Sequence, residues 1–270
     1  MAGTVLLEVA DGVATLTLNR PQALNALDLD SLQALRGHLR EVRDRRELRV
    51  AVITGSGERA FCVGADLKST RASSASYAEA LFLANEPAAD AGLYIRQMDL
   101  ADLDLHKPLI AAINGHCLGG GLELALQCDL RIASASATFG LPEAAVGSIP
   151  AVSGLHRLMR AVPPAHAMQM ALTGSRIDAW QACAIGLISE RLDSHEALLH
   201  RAMILAEQIA RQAPLAIQAL QTLARSTAHL SDSDAQRLTE LYWGVLRDTE
   251  DRLEGRQAFA EKRAPHYTGR

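Results

Sequence analysis

Short apolar runs spaced by helix-length segments constrain this chain more than any other feature. Ala14, Leu16 and Leu18 alternate with Thr15 and Thr17, the period of a half-buried strand, and the run stops at Asn19-Arg20-Pro21. Leu29, Leu32, Leu35, Leu39 and Val42 then recur every three or four residues, the pattern of an amphipathic helix. Val50 to Thr54 reads as a buried strand closed by Gly55-Ser56-Gly57, and residues 109–113 and 130–133 read as two more. Strand, helix, strand at this spacing predicts an α/β core.

The remainder divides in two. Between Lys68 and Lys107 the periodicity weakens after a small, polar stretch from Ser69 to Ser76, which reads as a flap with helical pieces of the kind that carries specificity. From about Asp193 the strands stop, and residues 195–211, 214–225, 232–247 and 251–262 are all helical by pattern. Pro214 stands where a first-turn proline is tolerated. A helical tail of this size has too little core of its own, so it is expected to pack on the main body or on a neighbouring subunit. The mixed charges from Arg40 to Arg49 read as a solvated face.

Composition excludes some roles. A net charge of −4 gives no support to a nucleic-acid or anionic-membrane partner. The N-terminal stretch has no basic run and already carries Glu8, so it does not read as a signal peptide, and no apolar stretch is long enough to span a bilayer. The four cysteines, Cys62, Cys117, Cys128 and Cys183, have neither CxxC pairing nor metal-ligand spacing with His, the pattern of free thiols in a reducing cytosol. The expectation is a soluble, cytoplasmic protein.

Chemistry concentrates in three segments. In the first, an apolar run from Ala111 meets Gly119-Gly120-Gly121 and then Leu122-Glu123. Glycines opening a helix expose main-chain N–H groups to a ligand oxygen near Gly120, and Glu123 falls in the first helical turn. The GxGxxG and GK[ST] spacings are absent, so this is neither a dinucleotide fingerprint nor a P-loop. In the second, Phe61-Cys62-Val63-Gly64-Ala65-Asp66-Leu67-Lys68, Gly64 permits a sharp turn that leaves the N–H of Ala65 free to donate, while Asp66 reads as a helix cap. In the third, Phe139-Gly140-Leu141-Pro142-Glu143, the proline is a natural helix entry that sets Glu143 in a first turn. Two N–H donors from separate loops suit the developing oxyanion of a thioester enolate. A carboxylate pair suits acid–base chemistry beside it. No GxSxG elbow or HExxH is present, and among the scattered histidines only His116 stands near the glycines.

These segments, with Asn19-Arg20-Pro21-Gln22-Ala23-Leu24-Asn25-Ala26-Leu27 and the tail from Glu250 to Arg263, resemble the crotonase, or enoyl-CoA hydratase/isomerase, superfamily. The motifs run in family order from residue 14 to the end. The resemblance implies an α/β fold, a crotonase-like spiral of ββα turns with a C-terminal helical trimerisation region: residues 1–194 form the core carrying the acyl-CoA site and residues 195–270 the oligomerisation region. It implies a homotrimer or a hexamer built as a dimer of trimers. It also implies an acyl-CoA thioester substrate, with coenzyme A as part of the substrate and no separate cofactor or metal. The N–H groups of Ala65 and Gly120 would hold the thioester oxygen, and Glu123 and Glu143 would be the catalytic pair of the hydratase branch. Ala23, Leu24, Asp66, Leu67, Lys68 and Leu118 would line the coenzyme A path. Phe259 and Lys262 would reach it from a neighbouring subunit.

The chain departs from the pattern in two places. After Ile149-Pro150, hydratases commonly show Gly-Ala-Gly-Gly where this chain has Ala151-Val152-Ser153-Gly154, a loop bordering the acyl pocket. Gln22 stands where relatives often have Lys, which removes one phosphate contact. The segment 139–143 also resembles the carnitinyl-CoA dehydratase branch, which keeps both glutamates. Retention of both carboxylates favours hydration over isomerisation or decarboxylation. A non-catalytic, RNA-binding or scaffold role is the remote alternative, against which the intact glutamates and the negative net charge both stand.

Overall fold

A computed structural model describes residues 3–68 and 94–270. Among the described residues, ten strands form two sheets. The larger sheet has the order β1-β2-β3-β5-β7-β10, from β1 (Val5–Ala10), β2 (Val13–Leu18), β3 (Val50–Gly55), β5 (Leu109–Ile113), β7 (Leu130–Ser134) and β10 (Glu190–Leu192). Only β1 and β2 pair antiparallel in it; the other neighbours are parallel. The smaller sheet has the order β4-β6-β8-β9, from β4 (Ala60–Cys62), β6 (His116–Leu118), β8 (Thr138–Gly140) and β9 (Ile177–Asp178).

The chain winds between the two sheets. Strand β5 in the large sheet is followed by β6 in the small one and then by α2 (Gly120–Ala125), and β7 is followed by β8 and, further on, by α3 (Gly154–Ala161). The first turn is β1, β2 and α1 (Leu29–Asp44). These are the expected ββα turns. α1 starts where Asp28 accepts the Ser31 N–H at 2.8 Å, and it buries Leu32, Leu35, Leu39 and Val42, its apolar stripe.

Strand parity decides which core each residue joins. On β3, Ala51 and Ile53 face the main core with Leu16, Leu18, Ala111, Ile113 and Phe61. Val50 and Val52 face the other way, with Val13, Ile110, Ala112 and Ile132, onto Leu198, Ala202 and Ala206. Those three lie on a later helix; in chain order α4 (Pro164–Thr173) and α5 (Ala179–Ala184) precede it, and it is α6 (His195–Ala210). Burial on both faces explains why β3 and β5 are continuous apolar runs.

Beyond α6 come α7 (Pro214–Thr227), α8 (Asp232–Arg247) and α9 (Glu250–Glu261). They leave Leu241, Trp243, Val245, Leu253 and Phe259 exposed, and α8 buries no residue at all within the chain. Of the expected flap, 3-10 helices at Tyr94–Met98 and Ala101–Leu103 are described, and its remaining part, residues 69–93, lies outside the described residues. Cys62, Cys117 and Cys128 are buried free thiols and Cys183 an exposed one. No described helix is long and apolar enough to cross a membrane.

Candidate active site

Strands β4, β6 and β8 lie side by side and parallel, so the loops leaving their carboxyl ends emerge on one edge of the small sheet. After β4 comes 63–65, after β6 come Gly119 and Gly120, and after β8 come Pro142 and Glu143. The carboxyl ends of parallel strands are where open α/β sheets place ligands.

The first two loops touch. Gly64 has φ +91°, and a Cβ there would stand 2.7 Å from the Gly120 nitrogen. A Cβ on Gly121 would meet the Cys62 carbonyl oxygen at 2.1 Å. Only glycine allows this approach. Leu27 brackets Ala65 as a parallel bridge partner: its N–H donates to the Gly64 carbonyl at 2.8 Å, and its carbonyl accepts from Asp66 N–H at 2.9 Å. The Ala65 N–H therefore points away from that partner. The Gly120 N–H opens α2 and has no intrahelical acceptor. Among the described residues neither N–H finds an acceptor.

Glu123 lies in the first turn of α2 at 2% exposure. Its side chain does not cap its own helix. Oε1 accepts from the Val152 N–H at 2.7 Å and from the Gly154 N–H at 2.9 Å, the latter at the start of α3. Burial pushes this carboxyl above the usual carboxylate range; the two N–H donors and Arg157 oppose the shift, and Asp99 adds to it.

Glu143 is half-buried and opens a 3-10 helix, Glu143–Val146, behind Pro142. Its Oε2 is buried with no hydrogen-bond partner among the described residues, and its Oε1 lies 3.1 Å from where a Cβ on Gly119 would be. Burial raises this carboxyl too, and the nearby charge of Glu123 raises it further.

A cavity of about 390 Å³ joins these groups. Ala65, Gly120, Glu123 and Glu143 all line it, and Leu67, Ile95, Val146, Ile149 and Ala151 give it an apolar wall. Of the other expected contacts, Ala23 ends a 3-10 turn and Leu24 follows it with φ +53°, just before the Leu27 bridge. Asp66 accepts from Arg20 at 2.8 Å and from the Lys68 N–H at 3.1 Å. Lys68 is exposed at the edge of the described residues, and Leu118 is buried against Gly140. Phe259 (86% exposed) lies on α9 and Lys262 caps its C-terminus, both outside the lining of this cavity within one chain. His116 bonds the Thr138 hydroxyl at 2.8 Å and does not line the cavity.

Sequence reading missed the pair of N–H groups on Glu123, the Arg20–Asp66 ion pair, and Met98, whose terminal methyl lies 2.7 Å from a Cβ position on Gly120. Main-chain donors leave no side-chain signature; only the unusual 151–154 loop hinted at the first.

Fold and cavity together define an α/β crotonase fold, two mixed sheets with C-terminal helices. The chain belongs to the enoyl-CoA hydratase/isomerase family, whose sequence profile it matches over residues 8–270. Its structure is similar to that of an enoyl-CoA hydratase from Bacillus anthracis, with a TM-score of 0.88 and 34% identity over 99% of this chain and 100% of that one. It is 43% identical over 265 residues to (E)-benzylidenesuccinyl-CoA hydratase of Thauera aromatica, covering 98% of this chain and 99% of the relative. To carnitinyl-CoA dehydratase of Proteus mirabilis (strain HI4320) it is 41% identical over 276 residues, covering 100% of both.

Proposed function

We propose that the protein is a hydro-lyase of acyl-CoA thioesters that adds water reversibly and syn across the α,β double bond of a 2-enoyl-CoA, giving a 3-hydroxyacyl-CoA. One observation carries this reading: two carboxyls and two main-chain N–H groups that find no acceptor among the described residues line the same cavity. The hydratases and dehydratases among its relatives support the class.

In this mechanism the Ala65 and Gly120 N–H groups donate to the thioester oxygen and stabilise the enolate. Loss of one such donor costs about 3–4 kcal/mol in barrier. Glu123 is ionised in this scheme; burial disfavours that state, and the Val152 and Gly154 N–H groups favour it. It takes a proton from water as the water oxygen bonds to the β-carbon. Glu143, desolvated and beside another carboxylate, holds a proton and delivers it to the α-carbon as the enolate reverts to the thioester. Each turnover leaves Glu123 protonated and Glu143 ionised, and one proton passing back through solvent resets the pair. No metal or redox cofactor takes part.

Coenzyme A would run past Ala23, Leu24, Asp66, Leu67, Lys68 and Leu118, with Phe259 and Lys262 supplied by a neighbouring copy in a homotrimer or dimer of trimers. The exposed apolar side chains of α8 and α9 support assembly. Light scattering of the purified protein tests it, and a monomer would count against it.

A second reading has specific support. The same four groups run in reverse would dehydrate a 3-hydroxyacyl-CoA, as the relationship to carnitinyl-CoA dehydratase suggests. A panel of enoyl- and hydroxyacyl-CoA esters, followed by loss or gain of the enoyl thioester absorbance and by product analysis, separates the two. Absence of turnover on every ester would refute both.

A further inference from the structure

The helix that clamps Glu123 also carries a guanidinium that the hydration scheme leaves without a defined role. Arg157 lies three residues beyond Gly154 on α3, about one turn along. Its side chain is 31% exposed, and Nη2 lies 3.5 Å from Asp99 Oδ1. Its Nε is buried with no hydrogen-bond partner among the described residues. A buried, unpaired N–H is costly, so its retention calls for a physical reason.

Asp99 is itself fixed relative to Glu123. Gln127, one turn after Glu123, donates to the Glu123 carbonyl at 3.2 Å and to the Met98 carbonyl at 3.0 Å, and it accepts from the Leu100 N–H at 2.8 Å. The main chain on both sides of Asp99 is thus tied to the main chain of Glu123. Arg36, buried at 7% exposure, donates to the carbonyls of Gln97 at 3.0 Å and Asp99 at 2.7 Å. The Asp99 carboxylate accepts from the Ala101 N–H at 3.1 Å, which fixes its direction.

We infer that Arg157, anchored by Asp99, is a positioning residue for the reaction: it fixes a positive charge one helical turn beyond the Gly154 N–H that holds Glu123, and keeps that carboxylate ready to take the proton of water. The inference rests on the reading of Glu123 as the base. Arg157 favours the ionised form of Glu123 and Asp99 disfavours it, so the pair acts as a graded counter-charge. Other titratable groups on the elements packed around α2 are exposed His156 and Arg160 on α3, the buried thiols of Cys62 and Cys117, and His116 on β6. Burial pushes the Cys62 thiol up to about 12 and Cys117 upward as well, so neither carries charge in the working range. Glu143 lines the same cavity as Glu123.

The test is a titration that needs no turnover. In a Glu143→Gln background with ¹³C-carboxyl-labelled glutamate, the Glu123 signal is assigned by its loss in the additional Glu123→Gln variant and followed with pH. Arg157→Gln should move its midpoint up by about one pH unit, the order expected for one unit charge removed at several ångströms. Arg157→Lys should restore most of that shift, and Asp99→Asn should move the midpoint down. An unmoved midpoint in folded Arg157→Gln overturns the inference, as does a loss of stability or a rise in KM without a titration shift. If Arg157→Gln does not fold, Arg157→Met in the same background decides: an upward move supports the inference, and an unchanged or downward midpoint overturns it. Failure of the hydratase reading shows separately, as absence of turnover in the wild type while the titration stands.

Discussion

Glu123 and Gly154 are fitted to each other: the Gly154 N–H donates to Glu123 Oε1 at 2.9 Å, and a Cβ on Gly154 would stand 2.6 Å from Glu123 Cγ. The contact joins the first turn of α2 to the start of α3. A methyl group at 154 must therefore displace the Glu123 side chain without removing either carboxyl. Gly154→Ala is expected to keep the fold and to lower kcat about 10²-fold, the usual penalty for a misplacement of this size. Circular dichroism and steady-state kinetics check it; wild-type kcat would show that the clamp is not needed.

Gly64→Ala attacks the other half of the site. Gly64 combines φ +91° with a Cβ position 2.7 Å from the Gly120 nitrogen, so alanine strains one proposed donor loop and pushes the other. The expected loss in kcat is about 10²–10³-fold, that of an oxyanion donor. The same substitution at Gly147, also at positive φ (+72°) but with open space around its Cβ position, should cost far less activity.

The two glutamates should act as a unit. Glu123→Gln preserves an oxygen that can accept from Val152 and Gly154, so the variant is expected to fold and to lose nearly all hydration. Glu143→Gln should do the same, and the double variant should be little worse than either single one. Rapid-quench measurement of product formation checks this; multiplicative losses would count against a shared role.

Both carboxyls are raised, and the sign has a consequence for stability. A carboxyl raised in the folded state disfavours folding above the ordinary carboxylate range, because its ionised form must be buried. Glu143→Gln should therefore be at least as stable as wild type at neutral pH, with any gain fading as pH falls from the raised folded-state range to the ordinary carboxylate range. In activity, the acid limb of the pH–rate profile should lie above that range, where Glu123 loses its charge. Removing the Glu123 charge should let Glu143 titrate lower than in the wild type. Thermal unfolding and carboxyl titration across pH check both signs.

Asn114 is expected to matter for folding alone. It is fully buried at the end of β5, accepts from the Gly55 N–H at 3.1 Å, and donates to the carbonyls of Gly55 at 2.9 Å and Ala60 at 3.2 Å. It thereby joins the two sheets behind the loop that carries Gly64. Asn114→Ala would strand these groups and should destabilise by about 2–4 kcal/mol, read as a lower denaturation midpoint.

The legible parts of the sequence were those with a period or a special backbone demand. Val50–Gly55 and Leu109–Ile113 are unbroken apolar runs because both faces are covered, and the stripe of α1 repeats over four turns. Glu123 and Glu143 stood out because glycines and a proline precede them. The small sheet was not legible: β4, β6, β8 and β9 have two or three residues each, too few to show alternation. Strand β1 was also missed, since its outer half is exposed. The contacts that orient Glu123 come from main-chain groups of Val152 and Gly154, and Arg157 reads as one polar residue of a short helix until Asp99 is seen beside it.

The central claim is that two carboxyls and two main-chain amides converge on one acyl group, and product stereochemistry tests it most directly. Hydration of the best enoyl-CoA ester in D₂O, with the relative configuration at the α- and β-carbons read by NMR, should give one α-deuterium syn to the new hydroxyl, as the proposed delivery of water and proton to one face of the double bond requires. Anti or scrambled addition, or turnover that survives in both Glu123→Gln and Glu143→Gln, would contradict the account.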